Sequence, residues 1–95
     1  MKSQLCKKIK IFGKVQGVGF RYWLQVTSER NGISGWVRNL KTGEVEAHLT
    51  GDPDKVSIVM EMCNMGPPAS DVDRISAIDS ENSDTRSSFD ILETI

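Results

Sequence analysis

The first thirty residues contain the pattern of a strand, a glycine-bearing loop and a stretch typical of a helix, and this order limits the folds open to the chain. Within residues 6–12, lysine alternates with isoleucine as Lys8-Ile9-Lys10-Ile11, which is the two-residue period of a half-buried strand. Residues 13–19 form the loop. Phe20–Arg30 then contains neither proline nor glycine before the stop signal Asn31-Gly32, and this predicts a helix.

The middle of the chain predicts two strands and a second helix. Residues 34–40 and 44–50 read as short strands joined by the turn Lys41-Thr42-Gly43. Asp52 is placed as an N-cap and Pro53 as the first helical residue. The apolar face of this helix repeats at helical spacing and consists of Val56, Val59, Met60 and Cys63.

The last part of the chain adds two strands. Gly66-Pro67-Pro68 ends the second helix, residues 72–78 predict a strand, residues 80–88 a polar loop, and residues 89–93 a short final strand. The order is β-α-β-β-α-β followed by that short strand. It predicts an α+β protein, a ferredoxin-like α/β sandwich whose antiparallel or mixed sheet carries both helices on one face.

Length and composition indicate an ordinary small domain. The 95 residues suffice for a single domain spanning 1–95, and size alone predicts a monomer. No run of about 18 apolar residues is present, which excludes an integral membrane protein. Residues 1–14 lack the apolar segment and cleavage site of a secretory signal. We therefore expect a cytoplasmic protein without a membrane partner.

The two cysteines and single histidine are too few for a structural zinc site. A disulfide between Cys6 and Cys63 is possible, but two free thiols are expected in a reducing cytosol.

We expect His48 to be an exposed or edge residue rather than a catalytic base. Tryptophans 23 and 36 are expected to pack in the core or at the rim of a site. The acids at 71, 73 and 79 are expected to form a solvated strand face rather than a metal site.

Charge is distributed unevenly along the chain. Residues 1–41 hold nine of the twelve lysines and arginines and one acid, Glu29, giving a net charge of +8, whereas residues 42–95 hold three bases and twelve acids, giving −9. This asymmetry indicates a positive site for an anion, either a small phosphorylated molecule or a nucleic acid. The alternative is a basic surface that only neutralises the acidic half.

The loop before the first helix has the features of a phosphate site. Glycines at 17 and 19 allow positive φ and close approach of the backbone to a ligand. Their N–H groups can form a concave anion nest, to which the following helix adds the positive end of its dipole. Arg21 follows at once and can close its planar guanidinium over a phosphate. Alternatively, the glycines serve only the geometry of a tight connection.

Neither common nucleotide-binding motif fits this loop. The Walker motif requires Lys-Ser/Thr directly after its last glycine, and the dinucleotide motif requires glycine where Tyr22 stands.

Asn39 is a polar residue near the end of an otherwise apolar strand, within Gly35-Trp36-Val37-Arg38-Asn39-Leu40. It either begins the following turn or projects into a site. An amide both accepts and donates hydrogen bonds, which suits it to fix a nucleophilic water.

Together these stretches resemble the acylphosphatase family. The resemblance rests on Gly13-x-Val15-Gln16-Gly17-Val18-Gly19-Phe20-Arg21, then Gly35-Trp36-Val37-Arg38-Asn39 and Gly43-x-Val45-Glu46, in the family's order and spacing. It implies hydrolysis of small acyl phosphates to a carboxylate and inorganic phosphate, without a metal, cofactor or covalent intermediate. It also implies that Asn39 positions the attacking water and that Arg21 holds the phosphoryl group with the loop amides of Gln16, Gly17, Val18, Gly19 and Phe20.

Three other kinds of protein are alternatives to an enzyme of this family. An RNA-recognition module shares the element order, but residues 43–50 contain no aromatic residue and two acids, so no nucleic-acid partner is expected. A non-catalytic phosphate- or anion-binding module would keep the loop and is disfavoured by the presence of both Arg21 and Asn39. A domain of a larger carbamoyl-transfer protein is disfavoured because the sequence starts at Met1 and ends after the last strand.

Overall fold

The computed structural model describes residues 4–80 and 87–95. Within these residues seven elements follow one another: β1 (Leu5–Lys14), α1 (Phe20–Arg30), β2 (Ser34–Asn39), β3 (Val45–Gly51), α2 (Pro53–Cys63), β4 (Asp71–Asp79) and β5 (Phe89–Ile91). The predicted order of strands and helices is confirmed. Most of the polar loop predicted over residues 80–88 lies outside the described residues, and the last strand ends before Glu93.

The five strands form one mixed sheet in the order β4-β1-β3-β2-β5. Strands β4, β1, β3 and β2 pair antiparallel, whereas β5 pairs parallel with β2 through Phe89 to Ile91. Both helices pack on the same face of this sheet and contact each other. The ferredoxin-like α+β prediction is therefore confirmed, with the sheet of the mixed kind.

Helix α1 begins and ends where its local chemistry predicts. Its first residue follows Gly19, and Asn31 is its C-cap, with Gly32 in the left-handed region at φ 68°. At the start of α2, the Asp52 side chain accepts a hydrogen bond of 2.9 Å from the Asp54 N–H, with Pro53 as the first helical residue. These contacts satisfy helix-end groups that the helix itself leaves unpaired.

The core lies between the helices and the inner face of the sheet. Alternate residues of β1 and β3 point into it, including Ile9, Ile11 and Ala47, and they meet the buried side chains of the two helices. Among the residues predicted for the apolar face of α2, Val56, Val59 and Cys63 are fully buried, and Met60 packs against the core in part. Both cysteines are free thiols.

The opposite, open face of the sheet carries polar and aromatic side chains from β2 and β3. His48 is only 6% exposed, because β3 is the central strand and all of its residues are buried. The expectation of an exposed or edge position for His48 is wrong. Its ring stacks on Trp36 with centroids 6.0 Å apart, so Trp36 lies on the open face rather than in the core. Trp23 packs edge-on against Phe20 beside the core, as expected.

Acidic residues 71, 73 and 79 are exposed on the edge strand β4, as predicted. None of the helices within the described ranges is both long and apolar enough to span a bilayer.

Candidate active site

A surface cleft of about 300 Å³ lies where the loop before α1 meets the end of β2. We call it the loop cleft and define it by its lining residues, which are Val15, Gly17, Gly19, Phe20, Arg21, Tyr22, Asn39 and Ile91. Two stretches that the sequence singled out separately, around Arg21 and around Asn39, thus border the same space.

The loop backbone takes the conformation that its glycines permit. Gly17 and Gly19 have φ values of 72° and 80°, in the left-handed region that other residues avoid. A methyl group built on either glycine would meet no other atom within 4 Å among the described residues. The glycines are therefore required for backbone conformation, and the space above them is open to the cleft.

The amino end of α1 begins without a side-chain cap from the described residues. Its N-cap residue is Gly19, none of the described side chains caps it by a hydrogen bond, and its first turn contains no acidic residue. The first N–H groups of a helix have no acceptor within the helix, and together with the helix dipole they favour an anion. Phe20, Arg21 and Tyr22 supply these groups at the cleft.

Arg21 is half-buried at the start of α1, and across residues 4–80 and 87–95 no carboxylate forms an ion pair with it. Other bases of the N-terminal half do pair with acids of the second half: Lys7 with Asp79, and Lys8 and Arg38 with Glu46. Part of the charge asymmetry therefore serves neutralisation, while the guanidinium at the cleft stays available for an anion.

Asn39 is the last residue of β2, and its side chain faces the helix side of the sheet at 9% exposure. No donor in the described part of the chain forms a hydrogen bond with its Oδ1, although this atom is buried. Its backbone carbonyl accepts a hydrogen bond of 3.2 Å from the Ile95 N–H. A buried polar atom without a partner is costly, and this oxygen could accept a hydrogen bond from a group bound in the cleft.

Two of the predicted phosphate-binding residues do not line the cleft. The side chain of Val18 packs against the core instead. The Gln16 side chain turns towards the β2–β3 connection, where its Nε2 donates hydrogen bonds to the carbonyl oxygens of Leu40 at 2.7 Å and Glu44 at 2.9 Å. These contacts fix the loop against the turn that follows Asn39.

Three lining residues were not among the candidate site residues that the sequence indicated: Val15, Tyr22 and Ile91. Tyr22 could have been suspected, because it directly follows Arg21 on a short helix. Ile91 gave no signal, since only the parallel pairing of β5 with β2 brings it to the cleft. Among the described residues, no three His, Cys, Asp or Glu side chains are grouped closely enough to hold a metal ion.

Comparison with known proteins agrees with these features. The Acylphosphatase family model matches residues 7–91. An acylphosphatase from Acaryochloris marina is 40% identical over 92 residues, which cover 97% of this chain and 98% of that protein. The crystal structure of the Bacillus subtilis acylphosphatase superposes with a TM-score of 0.89 at 34% identity, covering 93% of this chain and 98% of the other. An acylphosphatase from Coxiella burnetii gives the same TM-score at 32% identity, covering 94% and 93%.

Proposed function

The chain belongs to the acylphosphatase family, and from this premise we propose that it hydrolyses small acyl phosphates to a carboxylate and inorganic phosphate in the loop cleft. The observation that carries the proposal is the pairing of two polar groups in one cleft. One is the Arg21 guanidinium, which no described carboxylate neutralises. The other is the buried Asn39 amide, whose Oδ1 has no hydrogen-bond partner among the described residues.

The phosphoryl group binds to the loop amides of residues 16–20 and to Arg21. The uncapped amino end of α1 supports this assignment, because its N–H groups and dipole favour negative charge. The guanidinium can hold two phosphoryl oxygens at once through its planar fork. The donors are in place before substrate arrives, so stabilising the charge of the transition state requires little reorganisation.

Asn39 holds the attacking water. Its Oδ1 accepts a hydrogen bond from the water and thereby directs an oxygen lone pair towards phosphorus. Burial of Asn39 and its place at the end of a paired strand keep the amide from moving, which favours one orientation of the nucleophile.

The reaction needs little help with the leaving group. The water oxygen forms a bond to phosphorus while the bond from phosphorus to the acyl oxygen breaks, and the electron pair leaves with the carboxylate. An amide is too weakly basic to take the proton of the water. That proton passes to a phosphoryl oxygen of the substrate, so the products are a carboxylate and protonated inorganic phosphate. Positioning and charge neutralisation supply the remaining catalysis.

The test is hydrolysis of acetyl phosphate by the wild type, Arg21→Ala and Asn39→Ala, each in the presence of a chelator. Arg21→Ala should lose at least about 10²-fold in kcat/KM together with its inhibition by inorganic phosphate. Asn39→Ala should lose about 10²-fold in kcat while KM changes little. Exposed residues of the same types provide the controls: Arg30→Ala, at the far end of α1, and Asn64→Ala, after α2.

Two results would contradict the proposal. A large rise in KM with intact kcat in Asn39→Ala would show that Asn39 binds substrate rather than activating water. A folded wild type that binds phosphate but does not turn over any acyl phosphate would favour a non-catalytic anion-binding module.

Arg21 and Asn39, the two side chains on which the proposed chemistry depends, both line the cleft of the same chain. We infer that the active form is a monomer. Light scattering coupled to size-exclusion chromatography measures the molar mass at concentrations where activity per chain is constant. The mass of one chain is expected, and the mass of two would contradict the inference.

A further inference from the structure

The connection between α2 and β4, residues 64–70, packs against the first residue of α1. A methyl group built on Gly66 would lie 2.7 Å from Phe20 Cε2 and 3.4 Å from Phe20 Cζ. The first distance is one that carbon atoms without a bond between them do not adopt, so a residue with a side chain does not fit here. Gly66 therefore allows the connection to approach the ring of a residue that lines the loop cleft.

Hydrogen bonds hold Gly66 in this place. The Ser70 hydroxyl lies within hydrogen-bonding distance of the carbonyl oxygens of Pro67, at 2.6 Å, and Met65, at 3.2 Å. The Ser70 N–H donates to the Pro67 carbonyl at 2.9 Å, and the Gly66 N–H donates to the Met62 carbonyl, at the end of α2, at 3.0 Å. The connection is thus a compact turn attached to α2, and it can act as a fixed support.

Phe20 transmits this contact to the loop cleft. It is the first residue of α1, directly after Gly19, and its side chain is 2% exposed. Its ring packs edge-on against Trp23, with centroids 5.3 Å apart. Trp23 belongs to the same helix and so cannot fix the helix end relative to the rest of the fold. Gly66 belongs to another part of the chain, and its contact with the ring can.

The position of this ring bears on the proposed phosphate donors. The N–H groups at the start of α1 are assigned to the phosphoryl group, and hydrogen bonds weaken steeply when their geometry departs from the ideal. A methyl group at residue 66 must displace the Phe20 ring or the connection. Because the buried ring has little free space around it, its displacement should reach the backbone of Phe20 and the donors beside it.

We propose that Gly66 is a positioning residue for phosphate binding, because the α2–β4 connection holds Phe20 and through it the amino end of α1; this inference rests on the proposed hydrolysis at the loop cleft. The support acts on the phosphoryl donors rather than on Asn39, which is held in β2 by pairing with β3. A defect at Gly66 should therefore appear in phosphate affinity and KM, and much less in kcat.

The experiment compares Gly66→Ala with Gly32→Ala. Both glycines lie just after a helix in the left-handed region, at φ 63° and 68°, so the backbone strain of the two variants is similar. A methyl group at residue 32 meets no described atom within 4 Å. Gly66→Ala should raise the KM for acetyl phosphate and the inhibition constant of inorganic phosphate about tenfold. Gly32→Ala should leave both within about twofold of wild type.

Two double variants separate the ring from the Ser70 hydroxyl, which a methyl group at residue 66 would also meet. Leucine lacks the Cε2 and Cζ atoms, so in a Phe20→Leu background Gly66→Ala should change phosphate inhibition by less than about threefold. In a Ser70→Ala background the effect of Gly66→Ala should remain about tenfold. The reverse pattern would show that the effect acts through the Ser70 turn, and the proposal would be wrong.

Calorimetry with inorganic phosphate makes the result independent of turnover, and urea denaturation shows whether each variant is folded. If Gly66→Ala does not fold, Phe20→Leu removes the same contact without strain at residue 66 and should raise the phosphate dissociation constant about threefold.

Three results decide between the possibilities. An unchanged dissociation constant in folded Gly66→Ala, or in Phe20→Leu where Gly66→Ala does not fold, would overturn the positioning role and leave the proposed function intact. An equal rise in Gly32→Ala would overturn it as well, because backbone strain alone would then explain the loss. A folded wild type that binds phosphate but hydrolyses no acyl phosphate would overturn the proposed function, and the dissociation constants of the variants would still decide the positioning role.

Discussion

The Gln16 side chain reaches from the loop before α1 to the backbone of Leu40, the residue directly after Asn39, and donates a hydrogen bond of 2.7 Å to its carbonyl oxygen. A second bond of 2.9 Å goes to the carbonyl of Glu44. Leu40 and Glu44 are themselves joined by a backbone hydrogen bond of 2.9 Å from the Leu40 N–H to the Glu44 carbonyl. One side chain thus ties the proposed phosphate loop to the base of the turn beside the proposed water site.

Replacing Gln16 by alanine should therefore impair catalysis more than stability. Both carbonyls keep backbone donors, from Gly43 to Leu40 and from Leu40 to Glu44, so the free energy of unfolding should fall by only about 1 kcal/mol. Without these hydrogen bonds the loop is no longer held in place, so Arg21 and Asn39 lose their relative position. This should lower kcat/KM for acetyl phosphate about 10²-fold. Urea denaturation and steady-state kinetics measure the two effects. The exposed Gln4→Ala is the control, and a kcat/KM within threefold of wild type in Gln16→Ala would rule out the positioning role.

Comparing Gly19→Ala with Gly32→Ala separates the stability cost of a left-handed backbone conformation from an effect on the phosphate site. Gly19 and Gly32 have similar φ values, 80° and 68°, and a methyl group on either meets no described atom within 4 Å. Each alanine variant should lose about 1–2 kcal/mol of stability from backbone strain alone. Only Gly19 lines the cleft, so only its variant should also weaken inhibition by inorganic phosphate. Equal phosphate inhibition in the two variants would argue against a phosphate site at this loop.

The sequence predicted best those features that depend on neighbouring residues. The bounds of α1 follow from the glycine before it and Asn31-Gly32 after it, and the Asp52 cap with Pro53 defines the start of α2. Arg21 and Asn39 were each singled out by local chemistry, and the fold brings both to one cleft.

Features that depend on which strands become neighbours were not predictable in this way. Alternation shows that β3 is a strand but not that it is the central one, so His48 was expected at an exposed or edge position and is buried. The same limit hid Ile91, whose place at the cleft follows from the parallel pairing of β5 with β2. The role of the Gln16 side chain likewise depends on a turn more than twenty residues away.

Glu46 should stabilise the open face of the sheet far more than a surface ion pair does. The side chain of Glu46 is 6% exposed. Its Oε1 accepts from Arg38 Nε at 2.8 Å and Nη2 at 2.7 Å, and Lys8 Nζ lies 3.5 Å from Oε2. Glu46→Gln should cost about 2 kcal/mol, the range for hydrogen bonds to charged groups. Asp79→Asn, which breaks the more exposed pair with Lys7, should cost at most about 0.5 kcal/mol. Urea denaturation of both variants checks the difference, and equal losses would contradict it.

The two cysteines should differ sharply in reactivity. Burial raises the pKa of the Cys63 thiol to about 12, and only the thiolate reacts readily with Ellman's reagent. Cys6 is half-buried at the start of β1. Native protein at pH 8 should therefore release about one equivalent of thionitrobenzoate quickly, and denatured protein should release two. Native Cys6→Ser should release almost none until it unfolds. Fast release of two equivalents from native protein would show that the core around Cys63 opens readily.

The same raised pKa predicts how stability changes at alkaline pH. An unfolded cysteine ionises near its ordinary pKa of 9.0, whereas folded Cys63 stays protonated, so folding is favoured fully below pH 9 and progressively less up to pH 12. The contribution of Cys63 should fall by about 1.4 kcal/mol for each pH unit well above 9. Other groups also titrate in this range, so the informative quantity is the stability difference between wild type and Cys63→Ala at pH 8, 9 and 10. That difference should shrink by roughly 1 kcal/mol between pH 8 and pH 10; a difference independent of pH would mean that the Cys63 thiol ionises as easily in the folded protein as in the unfolded one.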